Sequence, residues 1–154
     1  MFVKTSSGRK RLNILGALNA VTHEMLTVIN ETYINAWSVV DLMRKIRAVT
    51  PVGKIVLVLD NARYQACYVV RSAARMMQIE LLYLPPYSPN LNLIERIWKF
   101  VRKKCLNSIY HENFENFSRA IMGCISKFGT EHKEELRTLL AWNFQTLVLD
   151  EKVA

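Results

Sequence analysis

A chain of 154 residues with 51% hydrophobic content is long enough for one domain with a proper core and too apolar for disorder. Twenty-one Lys and Arg against thirteen Asp and Glu leave a net charge of +8, which points to a polyanionic partner, nucleic acid first. The longest apolar runs, such as Ile55–Leu59, are too short to span a bilayer, and MFVKTSSGRKRLN lacks the apolar region of a signal peptide. Cys67, Cys105 and Cys124 form no CxxC pair, so neither a disulfide framework nor a zinc site is indicated. A reduced cytosolic setting is expected.

The alternating stretch Arg11–Ala20 reads as a strand, Thr22–Glu24 as a turn, and Met25–Ile34 as the hairpin partner. Asn35 then caps a helix, AWSVVDLMRKIRAV, with Ala36, Val39, Val40, Met43 and Ile46 on one apolar face. Lys54–Asp60 is a continuous apolar run that ends in an acid and reads as a strand buried on both faces. A helix is expected over roughly 64–77, and Ile79–Leu84 reads as another buried strand, stopped by Pro85 and Pro86. After Asn92 a helix carries Ile94, Ile97, Trp98, Val101 and Cys105 on one face, and further helical pattern runs over about 114–128 and 134–149. The order is ββαβαβα with a helical tail from about 112 to 154. It predicts an α/β fold with a mixed sheet and flanking helices, one domain over 1–154.

Two acids stand out. Asp60 closes a buried strand, and in open α/β sheets ligands bind beyond the carboxyl ends of strands. Asn61 follows it directly. Asp60 could equally serve as a turn or cap residue. Glu95 falls three residues after Asn92, the spacing of a capping box, where the Glu side chain reaches back to the cap. Lys99 and Arg102 share its flank, and Lys103 and Lys104 follow. An ordinary Glu95–Lys99 pair would contribute only about 0.3 kcal/mol. Carboxylates beside cations also suit Mg²⁺ and phosphate, because Mg²⁺ takes oxygen ligands from one or two carboxylates and from phosphate. His23, His111 and His132 lack metal-ligand spacing and are expected in solvent; Trp37, Trp98 and Trp142 lie on apolar helical faces and are expected in the core.

VLVLDNARYQ followed by LPPYSPNLNLIERIWKFVRKK resembles the catalytic core of DDE transposases, more narrowly the mariner-like superfamily and its bacterial insertion-sequence relatives. In that family a strand ends in the second catalytic Asp, and the third acid is a Glu thirty-four residues on. Here 95 − 60 − 1 = 34. KTSSGRKRLNILGALN resembles the strand that follows the first acid, and the likeness runs from about Lys4 to Phe128. It implies an RNase H-like fold and a cut-and-paste transposase that cleaves and transfers DNA strands. It also implies two Mg²⁺ or Mn²⁺ ions held by Asp60 and Glu95, and transposon ends and target DNA as partners; Asn61, Lys99, Arg102 and Lys103 are the candidate DNA contacts, with a merely solvated surface the equal alternative for Arg102–Lys104. Leu93 stands where the family has proline and Gln65 where many relatives have histidine. The first Asp and its central strand lie upstream of the segment matched here. The activity alone is therefore expected to be absent. Glu24, Glu31 and Asp41 do not match the first acid's place.

Three readings follow. The chain is a catalytic portion completed by an upstream-encoded half or a second copy, a non-catalytic DNA-binding or assembly module, or a relic frame. A cytoplasmic, nucleoid-associated place is expected, with no membrane contact.

Overall fold

The computed structural model of the protein describes residues 2–4, 11–85, 92–107 and 111–141. Three strands open the fold: β1 (Phe2–Lys4), β2 (Arg11–Leu18) and β3 (Met25–Asn30). They pair antiparallel in the order β1-β2-β3, with Asn13 opposite Asn30 and Leu18 opposite Met25. Asn19 closes the hairpin: its side chain accepts from Val21 and Thr22 while its N–H donates to Glu24. Helix α1 (Ala36–Val49) follows, then β4 (Ile55–Leu59), α2 (Tyr68–Met76) and β5 (Ile79–Tyr83). β4 and β5 pair in parallel, Ile55 opposite Ile79, as a second sheet. Helices α3 (Leu93–Cys105), α4 (Phe114–Ser126) and α5 (Lys133–Leu139) complete the described chain.

The period-two alternation of β2 divides the molecule into layers. Leu12 and Ile14 point into a core shared with α3, α4 and α5. Leu15, on the opposite face, packs against the core of α1, α2 and β5, which holds Val39, Val40, Met43, Val70, Ala74 and Ile79. Gly16 lies under α3: an added Cβ would run into the Met25 methyl group and stand 3.1 Å from a Trp98 ring carbon. The missing side chain leaves room for the Trp98 indole to approach the strand. Helix α3 is buried over a wider arc than its apolar stripe suggests. Phe100 is buried against Phe128 at 6.0 Å and His132 at 5.3 Å, both edge-on.

Several expectations are corrected. β4 is covered on one face only. Ile55 and Leu57 meet the α1–α2 core, whereas Val56 and Val58 are 46% and 47% exposed and Leu82 of β5 is 52% exposed. A continuous apolar run reads as doubly covered, but α3 packs over β2 and no described helix reaches the second face of β4. Phe2–Lys4 pairs with Arg11–Asn13 of β2, and among the described residues β4 bonds only β5. Trp37 is 60% exposed rather than core, because it falls in the first turn of α1, between the positions that face the sheet. The histidines are half-buried: His111 sits edge-on to Phe117 and bonds the Cys105 carbonyl. Residues 5–10, Trp142 and the rest of the tail beyond Ala141 lie outside the described residues.

Candidate functional site

The parallel ladder of β4 and β5 continues one step past the strands, where the Leu84 N–H donates to Leu59 at 2.8 Å. Asp60 stands at this carboxyl end. Its Oδ1 accepts from the Ala62 N–H at 3.3 Å, an Asx turn that redirects the chain. Asn61 takes a left-handed φ of 64°, which Asn tolerates better than most residues. Both side chains are exposed. The sequence left turn and site as alternatives for Asp60. The turn needs one carboxylate oxygen and leaves the other open.

Two neighbours in the turn were not evident from sequence. Burial first, and then the negative charge of Asp60, push the Tyr64 phenol above its ordinary value of 10.0, while a hydrogen bond with Gln65 pulls the other way. Gln65 is 5% exposed, its carbonyl accepts from the Tyr83 hydroxyl at 3.0 Å, and its buried Oε1 has no donor among the described residues. The only signal for Gln65 was its place opposite a family histidine. Tyr64 carried none, because an aromatic in a turn reads as packing.

Tyr64 gives a direct check on this placement. In Asp60→Asn its phenol should titrate at lower pH, since one cause of its raised value is gone. Ultraviolet titration of tyrosinate, with Tyr64→Phe as the blank, reads the shift; an unchanged midpoint refutes the neighbourhood of the two groups. Tyr83 is also raised by burial, and the Cys124 thiol, buried beside Cys105, is pushed up to about 12. All three groups are held neutral in the fold. Their stabilisation is complete below pH 9, where the unfolded groups are also protonated, and is lost as pH rises through the folded values.

Glu95 sits in the first turn of α3. The expected capping box does not form, because Asn92 takes the second N–H of the helix rather than that of Glu95. Asn92 accepts from the Ile94 N–H at 3.2 Å, but the Glu95 carboxylate does not reach back. The reciprocal box is built elsewhere, between Asn35 and Ser38 of α1. Nor does Glu95 pair with Lys99: among the described residues its exposed carboxylate has no hydrogen bond or ion pair. A carboxylate in a first turn is favoured by the helix dipole at about 0.3–1 kcal/mol and remains free to bind something else.

Lys99, Arg102 and Lys103 are exposed along α3. Lys104 differs; it bonds Glu135 of α5 at 2.8 Å and lies 5.7 Å from the centre of the Phe100 ring. Arg96 ties the same helix to the Leu139 carbonyl at 3.2 Å. Hence α3 is fixed on its α5 side and presents three exposed cations that have no ion pair among the described residues. The connection from β5 to α3 starts beside Leu59 and ends at the Asn92 cap, which links the Asp60 end of the sheet to the Glu95 turn. Residues 86–91 of that connection lie outside the described residues. Among the described residues no three His, Cys, Asp or Glu side chains gather as a metal site, so Asp60 and Glu95 form at most part of one. No described helix is long and apolar enough to cross a membrane.

Comparison with known proteins bears on the fold and the family. The Mos1 transposase catalytic domain, in a structure with Raltegravir and Mg, superposes with a TM-score of 0.62 at 15% identity, covering 94% of this chain and 82% of that one. The shared fold is RNase H-like. The uncharacterised protein y4pE/y4sA of Sinorhizobium fredii is 31% identical over 70 residues, 46% of this chain; the match spans about half, 50%, of that relative's length. The family described as DDE superfamily endonuclease matches residues 2–118, more than half of the 154 and a range that holds both Asp60 and Glu95. The chain belongs to the DDE superfamily endonucleases.

Proposed function

We propose that this chain is the greater part of a transposase catalytic domain that cleaves and joins DNA strands with Mg²⁺, in which Asp60 and Glu95 are two of three metal-binding acids. The observation that carries the reading is the state of these two side chains. Each is anchored by its backbone at the end of a regular element, and among the described residues Asp60 keeps one carboxylate oxygen uncommitted and Glu95 both. Their chemistry fits a hard divalent cation, which prefers oxygen ligands. When bound, such ions activate water and stabilise a leaving oxygen in phosphodiester cleavage. Asp60 and Glu95 hold negative charge where the ions would sit. Lys99, Arg102 and Lys103 bind the phosphates of the strand, and Asn61 lies beside Asp60 to touch the same backbone. The remaining acid, the first Asp of the family pattern, belongs on a strand laid between β2 and β4. Without it the site is short of one anion and one fixed ligand, and the chain alone does not cut.

DNA binding tests the reading independently of cleavage. Affinity for duplex DNA should fall steeply with salt, by about 0.9 in log–log slope for each phosphate neutralised. Lys99→Ala and Arg102→Ala should each reduce that slope by about one and weaken all sequences alike. Salt-insensitive binding, or none, would remove the DNA substrate from the proposal. Binding that persists when no assembly cleaves would favour a non-catalytic module instead.

A further inference from the structure

The end of the molecule that carries Asp60 can be located from backbone contacts. Asn35 caps α1 shortly after β3 stops at Asn30, and Asn13 at the start of β2 bonds the Thr32 carbonyl at 2.9 Å. Helix α1 then runs back along β3, where Lys45 donates to the Thr27 carbonyl at 2.7 Å. In its last turn Arg47 binds the carbonyl of Gly53, just before β4, at 3.2 Å. It also binds those of Met77 and Gln78, just before β5, both at 2.9 Å. Both parallel strands therefore start at the C-terminal end of α1 and run toward its first turn. Asp60 lies at that end, and so does the start of α2, which follows the Asp60 turn and leads back to Gln78.

Three aromatic rings stand in solvent at this same end. Tyr33, in the loop before α1, is 70% exposed; Trp37, in its first turn, is 60% exposed; Tyr68, the first residue of α2, is 81% exposed. Among the described residues no ring packs on any of them. At the opposite end the exposed large apolar side chains among the described residues include Val21, Val49, Val52 and Met76, which offer no π-face. Exposed rings thus gather where Asp60 sits, on two neighbouring helices and the loop before one of them. Arg63, exposed in the Asp60 turn, has no ion pair among the described residues and adds positive charge to a chain already at +8.

We propose that Tyr33, Trp37 and Tyr68 form a stacking platform for unpaired bases of a DNA strand whose backbone passes Asp60. The inference rests on the DNA-cleaving reading above for the role of Asp60. Flat rings accept bases of any sequence, and each stacked base is worth about 1–3 kcal/mol. Paired bases in a duplex are already stacked and gain nothing from the rings. The platform therefore selects frayed or single-stranded DNA, whereas Lys99 and Arg102 act on the phosphates of either form.

The test measures fluorescence anisotropy of a short labelled DNA oligonucleotide and of its duplex with the full-length chain at fixed salt. Trp37→Ala and Tyr68→Ala should each weaken the single strand by about tenfold and leave the duplex unchanged. Trp37→Phe should restore most of the loss, and Lys99→Ala should weaken both forms. Equal loss on both forms, or no loss on the single strand, overturns the platform while leaving the proposed function intact. So does a Trp37→Ala chain that changes oligomeric state but keeps its single-strand affinity. Absence of binding to either form by the unaltered chain overturns the proposed function, and the platform with it.

Discussion

An extended peptide ending in Asp, added to the purified chain, raises its melting temperature and shifts it toward the monomer. The reason lies between the two sheets. Helix α1 packs on β2 and β3 and also on α2, so it spans both sheets, yet β4 bonds only β5 among the described residues. β1 covers β2 over Arg11–Asn13 and does not reach β4. A strand laid beside β4 would satisfy its open edge. It would also narrow the exposure of Val56 and Val58 and bring donors near Asn13, whose Oδ1 is buried without one among the described residues. A ligand at a hundred times its dissociation constant stabilises by about 2.7 kcal/mol. In a chain of this size that is about 5–10 °C. Open strand edges also invite pairing between molecules, so the chain alone should self-associate through them. Thermal melting and sedimentation, with and without the peptide, decide the matter. A cooperative monomer indifferent to the peptide shows that water already satisfies the edge of β4 and that no strand belongs there.

The order of elements from β2 onward was legible because each carried its own local signal; β1 (Phe2–Lys4) was not foreseen. Asn35 capped α1 where expected, and its apolar positions at spacings of three and four matched the buried face. The strands β2, β4 and β5 followed their apolar runs to within a residue or two at each end. What sequence could not give was the partner of each face. The run Ile55–Leu59 is the same whether one helix layer covers it or two, and only the tertiary arrangement leaves Val56 and Val58 in solvent. Trp37 has the same limitation, since an indole in a first helical turn reads as core until the sheet beneath is placed. In the candidate site, Asp60 and Glu95 were visible as types at a spacing, and Asn92–Glu95 read as a capping box. The structure separates the two roles: Asn92 caps alone, and the Glu95 carboxylate stays unbonded among the described residues. The Asp60–Tyr64 proximity was hidden, because a turn of mixed geometry has no period to read.

Neutralising either acid should abolish metal binding and cleavage while leaving the fold almost untouched. Asp60→Asn keeps the oxygen that accepts from Ala62, so the turn survives. Glu95→Gln forfeits only a helix-dipole contribution of about 0.3–1 kcal/mol. Surface changes away from packed features usually stay within about 0.5 kcal/mol, so Asp60→Asn should shift the melting temperature little. The effect on a bound cation is of another order, because an anionic ligand is lost from a site that has few. Terbium(III), an oxygen-seeking stand-in for Mg²⁺, gives a readout that needs no turnover: Tyr64, beside Asp60, can pass excitation to an ion held there. Sensitised emission should appear in the unaltered chain, fall on competition with Mg²⁺, and vanish in Asp60→Asn and in Glu95→Gln. Once the first Asp of the family pattern is supplied on a strand, cleavage of duplex DNA should drop by at least about 10²–10³ in either variant, the scale for removing one preorganised electrostatic group. Full emission and full cleavage in Glu95→Gln would make Glu95 a helix-starting residue and nothing more. Loss of both signals with an unchanged melting temperature places the ion between the end of β4 and the first turn of α3.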